Sequence, residues 1–191
     1  MTVDTQGSKR GIVIYWSATG NTQRAAEMVG AGLLDGGMDV RVVRVEDALS
    51  EELYDFDVVV MASPSYMFAP PDPVREYVKD RMRAYQSRGD IRMKAPARPG
   101  KFGGVLVTFS GPHTGLEEAV PAGKWLAQFL AHIGFKVEME EYVVGEFHGR
   151  PEHSTMGVMG DVRGRPNEDD LHHVREVAMK LAEQVAKESQ D

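Results

Sequence analysis

The sequence predicts a three-layer α/β fold in which helices cover both faces of a parallel sheet. Short runs rich in valine and isoleucine recur along the 191 residues, and amphipathic helical patterns separate them. Near-continuous apolar runs are typical of parallel strands covered on both faces. Alternation of strands with helices is typical of right-handed crossover connections. The predicted strands are residues 12–16, 40–45, 58–62, 102–109 and 135–144.

A helical pattern follows each predicted strand except the second. The first helix is predicted over residues 22–34, where two glycines then end it. Asp72 as the N-cap and Pro73 as the first helical residue begin the second helix. The third helix is rich in aromatic residues, and Pro121 leaves its start open. The last helix has Asn167 as its N-cap and three acidic residues in its first turn.

Composition excludes several classes of protein. The net charge of -7 argues against general nucleic-acid binding. The absence of cysteine excludes disulfides, thiolate metal sites and cysteine-bound iron–sulfur clusters, so any redox chemistry requires a bound organic cofactor. Residues 1–9 are predicted to be a disordered polar tail, and residues 10–191 a single domain. No apolar run reaches the roughly 20 residues of a membrane span, so the expected location is the cytoplasm.

A loop of hydroxyl, amide and glycine residues joins the first strand to the first helix. It consists of Ser17, Ala18, Thr19, Gly20, Asn21 and Thr22. A helix N-terminus offers unpaired N–H groups and partial positive charge, which suit a phosphate. The loop contains no lysine or arginine, and neither common glycine-rich nucleotide motif occurs in the chain. The alternative is a capped strand-to-helix turn without a ligand.

Two more loops follow the third and fourth predicted strands. In an open parallel sheet, ligands bind outside the carboxyl ends of the strands, where these loops lie. In the second loop, the rings of Tyr66 and Phe68 can stack on a flat ligand or simply cover the end of the sheet. The glycine-rich third loop can present backbone N–H and C=O groups. The candidate ligand-binding residues of the two loops are Pro64, Ser65, Tyr66, Met67, Phe68, Ser110, Gly111, Pro112, His113 and Gly115.

These three loops together resemble the flavodoxin superfamily. The first resembles its FMN-phosphate loop, and the Ser-Pro-Ser-Tyr string at residues 63–66 resembles its ring-binding loop. Residues 111–117 and 164–171 resemble the NAD(P)H:quinone oxidoreductases related to tryptophan-repressor-binding protein. The resemblance covers about residues 11–187 and implies a five-stranded sheet in the order 2-1-3-4-5 with non-covalently bound FMN.

The resemblance implies a flavodoxin-like redox protein that mediates electron transfer through FMN. Its partner would be another redox protein or a quinone. The alternative is an NAD(P)H-dependent quinone or FMN oxidoreductase, which would assemble as a homo-oligomer in the manner of that branch. A third hypothesis is a flavodoxin-like binding module without flavin. We expect no nucleic-acid partner.

His113 is the one candidate for proton transfer, although it could equally cap its loop or face solvent. Electron-carrying flavodoxins usually have an acidic loop at this place, whereas here no carboxylate occurs before Glu117. Two further segments, 84–100 and 145–166, are predicted to be surface loops. The histidines and glutamates of the second segment match no metal motif, so we predict a solvated loop and no metal site.

Overall fold

The computed structural model describes residues 8–188 and contains a five-stranded parallel sheet in the order β2-β1-β3-β4-β5. The predicted three-layer fold and strand order are therefore confirmed. The order reverses beside β1, because β2 lies on one side of that strand and β3 on the other. The strands are β1 Arg10–Tyr15, β2 Asp39–Arg44, β3 Val58–Pro64, β4 Phe102–Phe109 and β5 Lys136–Val144.

Helices cover both faces of the sheet. Alternate residues of each inner strand point to opposite faces, so Ile12 and Ile14 pack with α2 and α3 while Val13 packs with α1 and α5. The central strands β3 and β4 are buried along their whole length, which explains their unbroken apolar runs. The helices are α1 Asn21–Asp35, α2 Asp72–Ser87, α3 Val120–His132, α4 Pro151–Thr155 and α5 Glu168–Glu188.

The starts of α1 and α2 each differ from the prediction by one residue. Helix α1 begins at Asn21, because Gly20 takes up the left-handed conformation (φ 98°) directly before it. Asp72 is the first residue of α2 and makes no side-chain cap, so its predicted role as N-cap is wrong. Pro121 lies in the first turn of α3, where its missing N–H costs no hydrogen bond.

The predicted cap of the last helix is confirmed. The Asn167 side-chain oxygen accepts a hydrogen bond from the Asp170 backbone N–H (3.0 Å). The Asp170 carboxylate in turn accepts one from the Asn167 backbone N–H (2.8 Å). This reciprocal arrangement satisfies two N–H groups at the start of α5.

The two segments predicted to be surface loops are more ordered than the sequence indicates. Helix α2 extends into the first segment as far as Ser87, and the guanidinium of Arg88 pairs with Glu52 and Asp90 at 2.7 Å each. Arg98 lies 3.9 Å over the centre of the Tyr54 ring. The basic segment is therefore held against the domain by specific contacts. The second segment contains the one-turn helix α4.

The predicted N-terminal tail lies outside the described residues as far as residue 7. Ser8 and Lys9 are described, and their side chains contact the Gly37 carbonyl (3.1 Å) and the Asp57 carboxylate (3.5 Å) respectively. No helix within residues 8–188 is long and apolar enough to cross a bilayer.

Candidate functional site

A cavity of about 670 Å³ opens at the carboxyl edge of the sheet, beside the point where the strand order reverses. Its size falls within the usual range for small-molecule sites, roughly 300–1,000 Å³. All the predicted ligand-binding residues line it except Gly20 and Gly115. The loops after β1, β3 and β4 thus meet around one space, and a fourth loop, after β5, completes the wall.

The loop after β1 leaves backbone donors unpaired at the start of α1. Ser17 Oγ accepts a hydrogen bond from the Gly20 N–H (3.0 Å), which folds the loop back on itself. Within the described part of the chain, the N–H groups of Thr19, Asn21 and Thr22 have no acceptor. Gly20 shapes this loop through its left-handed backbone and does not face the cavity. The free donors at a helix N-terminus fit a phosphate.

Two side chains of this loop form hydrogen bonds with residues far away in the sequence. The buried hydroxyls of Thr22 and Thr108 lie 2.7 Å apart, and either can be the donor. The side-chain amide of Asn21 donates to the Glu146 carbonyl (2.9 Å). Because the second amide hydrogen of Asn21 is uncommitted, this residue can bridge the loop after β5 to a ligand in the cavity.

The loop after β3 presents apolar side chains at the mouth of the cavity. Two hydrogen bonds join Tyr66 and Ala69, so Met67 and Phe68 form a two-residue turn in which both have positive φ (49° and 68°). Non-glycine residues in this conformation cost about 1 kcal/mol or more each. The side chains of Met67 and Phe68 are 92% and 57% exposed. Strain of this kind together with exposed apolar side chains is typical of a ligand-binding loop.

Tyr66 in that loop contacts another aromatic residue. Its ring meets the ring of Trp16 edge-to-face, with 5.9 Å between centroids. Burial raises the pKa of the Tyr66 phenol above its usual value, so the ring is neutral at physiological pH. A neutral, fixed aromatic ring beside the cavity suits stacking on a flat ligand.

The loop after β4 is organised by a carboxylate that the sequence analysis missed. Glu118 Oε1 accepts hydrogen bonds from the backbone N–H groups of His113 and Thr114, both at 2.7 Å. Gly115 turns away from the cavity and instead closes the loop through its N–H to the Gly111 carbonyl (3.2 Å). Glu118 itself lines the cavity. The loop itself has no carboxylate before Glu117, as the sequence indicates, but Glu118 folds back onto its backbone.

The segment after β5 supplies the part of the wall that the sequence analysis did not assign to the site. Phe147, His148 and His153 line the cavity, and Ser154 Oγ fixes Phe147 by bonds to its N–H (2.8 Å) and C=O (3.1 Å). The prediction of a solvated loop is wrong for His153, which is half-buried. The sequence could have predicted this part of the wall. The strand β5 ends at the same edge of the sheet as β1, β3 and β4, so the segment that follows it must lie beside their loops.

The fold and the cavity define a doubly wound α/β protein with a site for a flat, phosphorylated ligand at its switch point. Residues 13–140 match the family model for flavodoxin. The chain therefore belongs to the flavodoxin family. As a member of that family it is an FMN-binding redox protein.

Individual relatives fall into two groups. An NAD(P)H dehydrogenase (quinone) of Archaeoglobus fulgidus is 26% identical and aligns with 92% of this chain and 97% of its own length. A flavodoxin of Clostridium beijerinckii is 37% identical, but over only 26% of this chain and 36% of its own.

Solved structures with low sequence identity share the fold. A flavodoxin from the domain Archaea superposes with a TM-score of 0.66 at 20% identity and covers 93% of this chain and 99% of its own. A WrbA-like protein of Agrobacterium tumefaciens gives a TM-score of 0.63 at 14% identity, over 95% and 99% of the two chains.

Proposed function

We propose that residues 10–191 form one FMN-binding domain whose loop after β1 holds the FMN phosphate. The observation that carries this proposal is the set of unpaired N–H groups on Thr19, Asn21 and Thr22, three residues that line the cavity at the start of α1. Neutral donors at a helix N-terminus stabilise an anion through the helix dipole as well as through hydrogen bonds. The hydroxyls of Ser17 and Thr19 can add two more donors.

The isoalloxazine ring would then lie between the loops after β3 and β4. Tyr66, Met67 and Phe68 offer an apolar surface on one side, and the backbone from Ser110 to Pro112 offers hydrogen-bonding groups to the polar edge of the ring. Covering exposed apolar side chains would supply stabilisation of about 25 cal/mol per Å² buried. Bound FMN supplies the electron-transfer chemistry, while the protein orients the ring and limits water around it.

Titration of the FMN-free protein tests this assignment. Thr19→Ala is expected to weaken FMN binding about tenfold or more, because hydrogen bonds to a charged group contribute about 1.5–3 kcal/mol. Riboflavin, which lacks the phosphate, should bind this variant and the unchanged protein equally well. Thr155→Ala on α4, whose hydroxyl donates to the Pro151 carbonyl, is the matched control. Flavin fluorescence quenching gives the affinities, and equal losses for the two flavins would contradict the assignment.

We further propose a cytoplasmic protein that passes electrons through the flavin to a redox protein or a quinone. A second candidate function is NAD(P)H:quinone oxidoreductase, in which the chain would act as a homo-oligomer. Two observations favour it: the relative of that description aligns over nearly the full length of both chains, and the segment after β5 places two histidines in the lining of the cavity. Reduction of a quinone takes up two electrons and two protons, and His113 is the candidate proton donor.

Turnover distinguishes the two functions. The enzyme is expected to oxidise NADH or NADPH continuously when 1,4-benzoquinone is present, as followed by the loss of nicotinamide absorbance. An electron carrier would show no such turnover unless a separate reductase were added. Replacing His113 with glutamine should slow the enzyme, and FMN affinity is measured in parallel because His113 also lines the cavity.

A further inference from the structure

The side chain of His113 faces the cavity with few contacts to hold it. Its backbone is fixed, because its N–H donates to Glu118 Oε1 at 2.7 Å. Its imidazole, however, makes no hydrogen bond or ion pair with any residue that the structure describes. The ring contact it does make is with His153, edge-to-face, at 5.6 Å between centroids and 76° between planes.

The ring of His153 contacts a second aromatic ring, and its helix is fixed by hydrogen bonds. It lies on α4 and packs against the Phe147 ring at 5.1 Å. The next residue, Ser154, is only 1% exposed, and its hydroxyl bonds both the N–H and the C=O of Phe147. The Ser154 carbonyl also accepts from the Val162 N–H (2.8 Å). These bonds fix the short helix despite its single turn.

Helix α4 is also fixed relative to the loop that carries His113. The Val158 N–H donates to the Pro112 carbonyl at 3.0 Å. Gly157 packs so tightly on Pro112 that a Cβ there would lie 2.6 Å from the Pro112 Cα. The backbones that carry the two histidines are therefore held close together by contacts of neighbouring residues, and the contact between the rings depends on the orientation of both side chains.

We propose that His153 is a positioning residue for His113: its ring holds the His113 imidazole in one orientation toward the cavity. The proposal rests on the second candidate function above, in which His113 supplies a proton. An edge-to-face contact orients a ring through its quadrupole and its shape, and needs an aromatic partner but no particular nitrogen atom. A proton donor held in one orientation reacts faster than one that rotates freely. Phenylalanine should therefore replace His153, whereas alanine should not.

The test compares His153→Phe, His153→Ala and the control His132→Ala, which removes an exposed histidine at the end of α3. The first measurement is ¹³C relaxation of the His113 ring in the FMN-free protein. Loss of the contact is expected to lower the order parameter of the His113 ring in His153→Ala and to leave it unchanged in the other two variants. The second is the rate at which 1,4-benzoquinone oxidises the photoreduced, FMN-loaded protein. That rate should fall about tenfold in His153→Ala and stay within about twofold in the other two variants.

Three results would overturn the proposal. They are an unchanged order parameter in His153→Ala, a mobile ring without a slower oxidation, and a His153→Phe variant as impaired as His153→Ala. FMN affinity is measured in parallel for every variant. Failure of the unchanged protein to bind FMN would refute the proposed function, while the order parameters would still decide the contact between the two rings.

Discussion

The paired hydroxyls of Thr22 and Thr108 allow a test of the proposal that the loop after β1 binds a phosphate. Thr22 and Thr108 are 1% and 3% exposed, and their oxygens are 2.7 Å apart. Replacing either residue with valine preserves the shape and leaves the other hydroxyl buried without a partner. That costs about 1–3 kcal/mol. For a chain of this size the expected fall in Tm is about 2–12 °C.

The double variant Thr22→Val/Thr108→Val removes both hydroxyls and leaves nothing unpaired. Its loss of stability in the FMN-free protein should therefore be clearly smaller than the sum of the two single losses. Urea unfolding of the four proteins gives the coupling free energy. Additive losses would show that the hydroxyls do not form a pair.

FMN binding by the same variants then assigns the direction of the bond. If Thr108 donates to Thr22, the Thr22 hydroxyl is free to donate to the phosphate. Thr22→Val should then lose about tenfold or more in FMN affinity, and Thr108→Val should stay within about twofold. Equal losses in the two variants would refute a role for the Thr22 hydroxyl in holding the phosphate.

Two further perturbations probe the fixed surroundings of the site. Gly145→Ala would place a Cβ 2.9 Å from the Asn21 side-chain nitrogen and displace that side chain from the cavity wall. Calorimetry should therefore show FMN binding weakened about tenfold. The control Gly11→Ala, whose Cβ makes only ordinary contacts, should bind FMN as tightly as the unchanged protein. Burial alone would raise the pKa of Asp170, but its hydrogen bonds, chiefly from Arg165, hold that pKa below the usual value. This carboxylate therefore contributes stability above its unfolded pKa, which is lost as the pH falls below about 4. Urea unfolding at pH 7 and pH 3.5 should show a smaller difference for Asp170→Asn than for the unchanged protein, and equal differences would contradict the assignment.

The sheet could be predicted from the sequence because its inner strands are apolar on both faces. Residues 58–62 and 102–109 lie within strands that are buried throughout, and both were placed correctly. The end of β3 was missed by two residues, because Ser63 and Pro64 are turn-forming types that here continue the pairing with β4. Local residue preference cannot anticipate such a tertiary contact.

The cavity could be predicted only in part. The loops after β1 and β4 carry motifs dense in glycine and hydroxyl residues, which mark them in the sequence. The segment 145–166 has no periodicity, and its place in the site depends on bonds such as that from Asn21 to the Glu146 carbonyl, 125 positions away. The rule for parallel sheets would have located the segment, since β5 ends at the same edge.

The long separation between Asn21 and Glu146 also bears on how the chain acquires its cofactor during synthesis. A ribosome adds about 5–20 residues per second, so roughly 6–25 s pass between the two ends of that hydrogen bond. For most of that interval Thr108, which lies beneath the loop after β1, has not been synthesised. The segment after β5, which lies beside the loop, is synthesised only at the end. The complete cavity can therefore form only after the segment that follows β5 has been synthesised, because that segment supplies part of its wall.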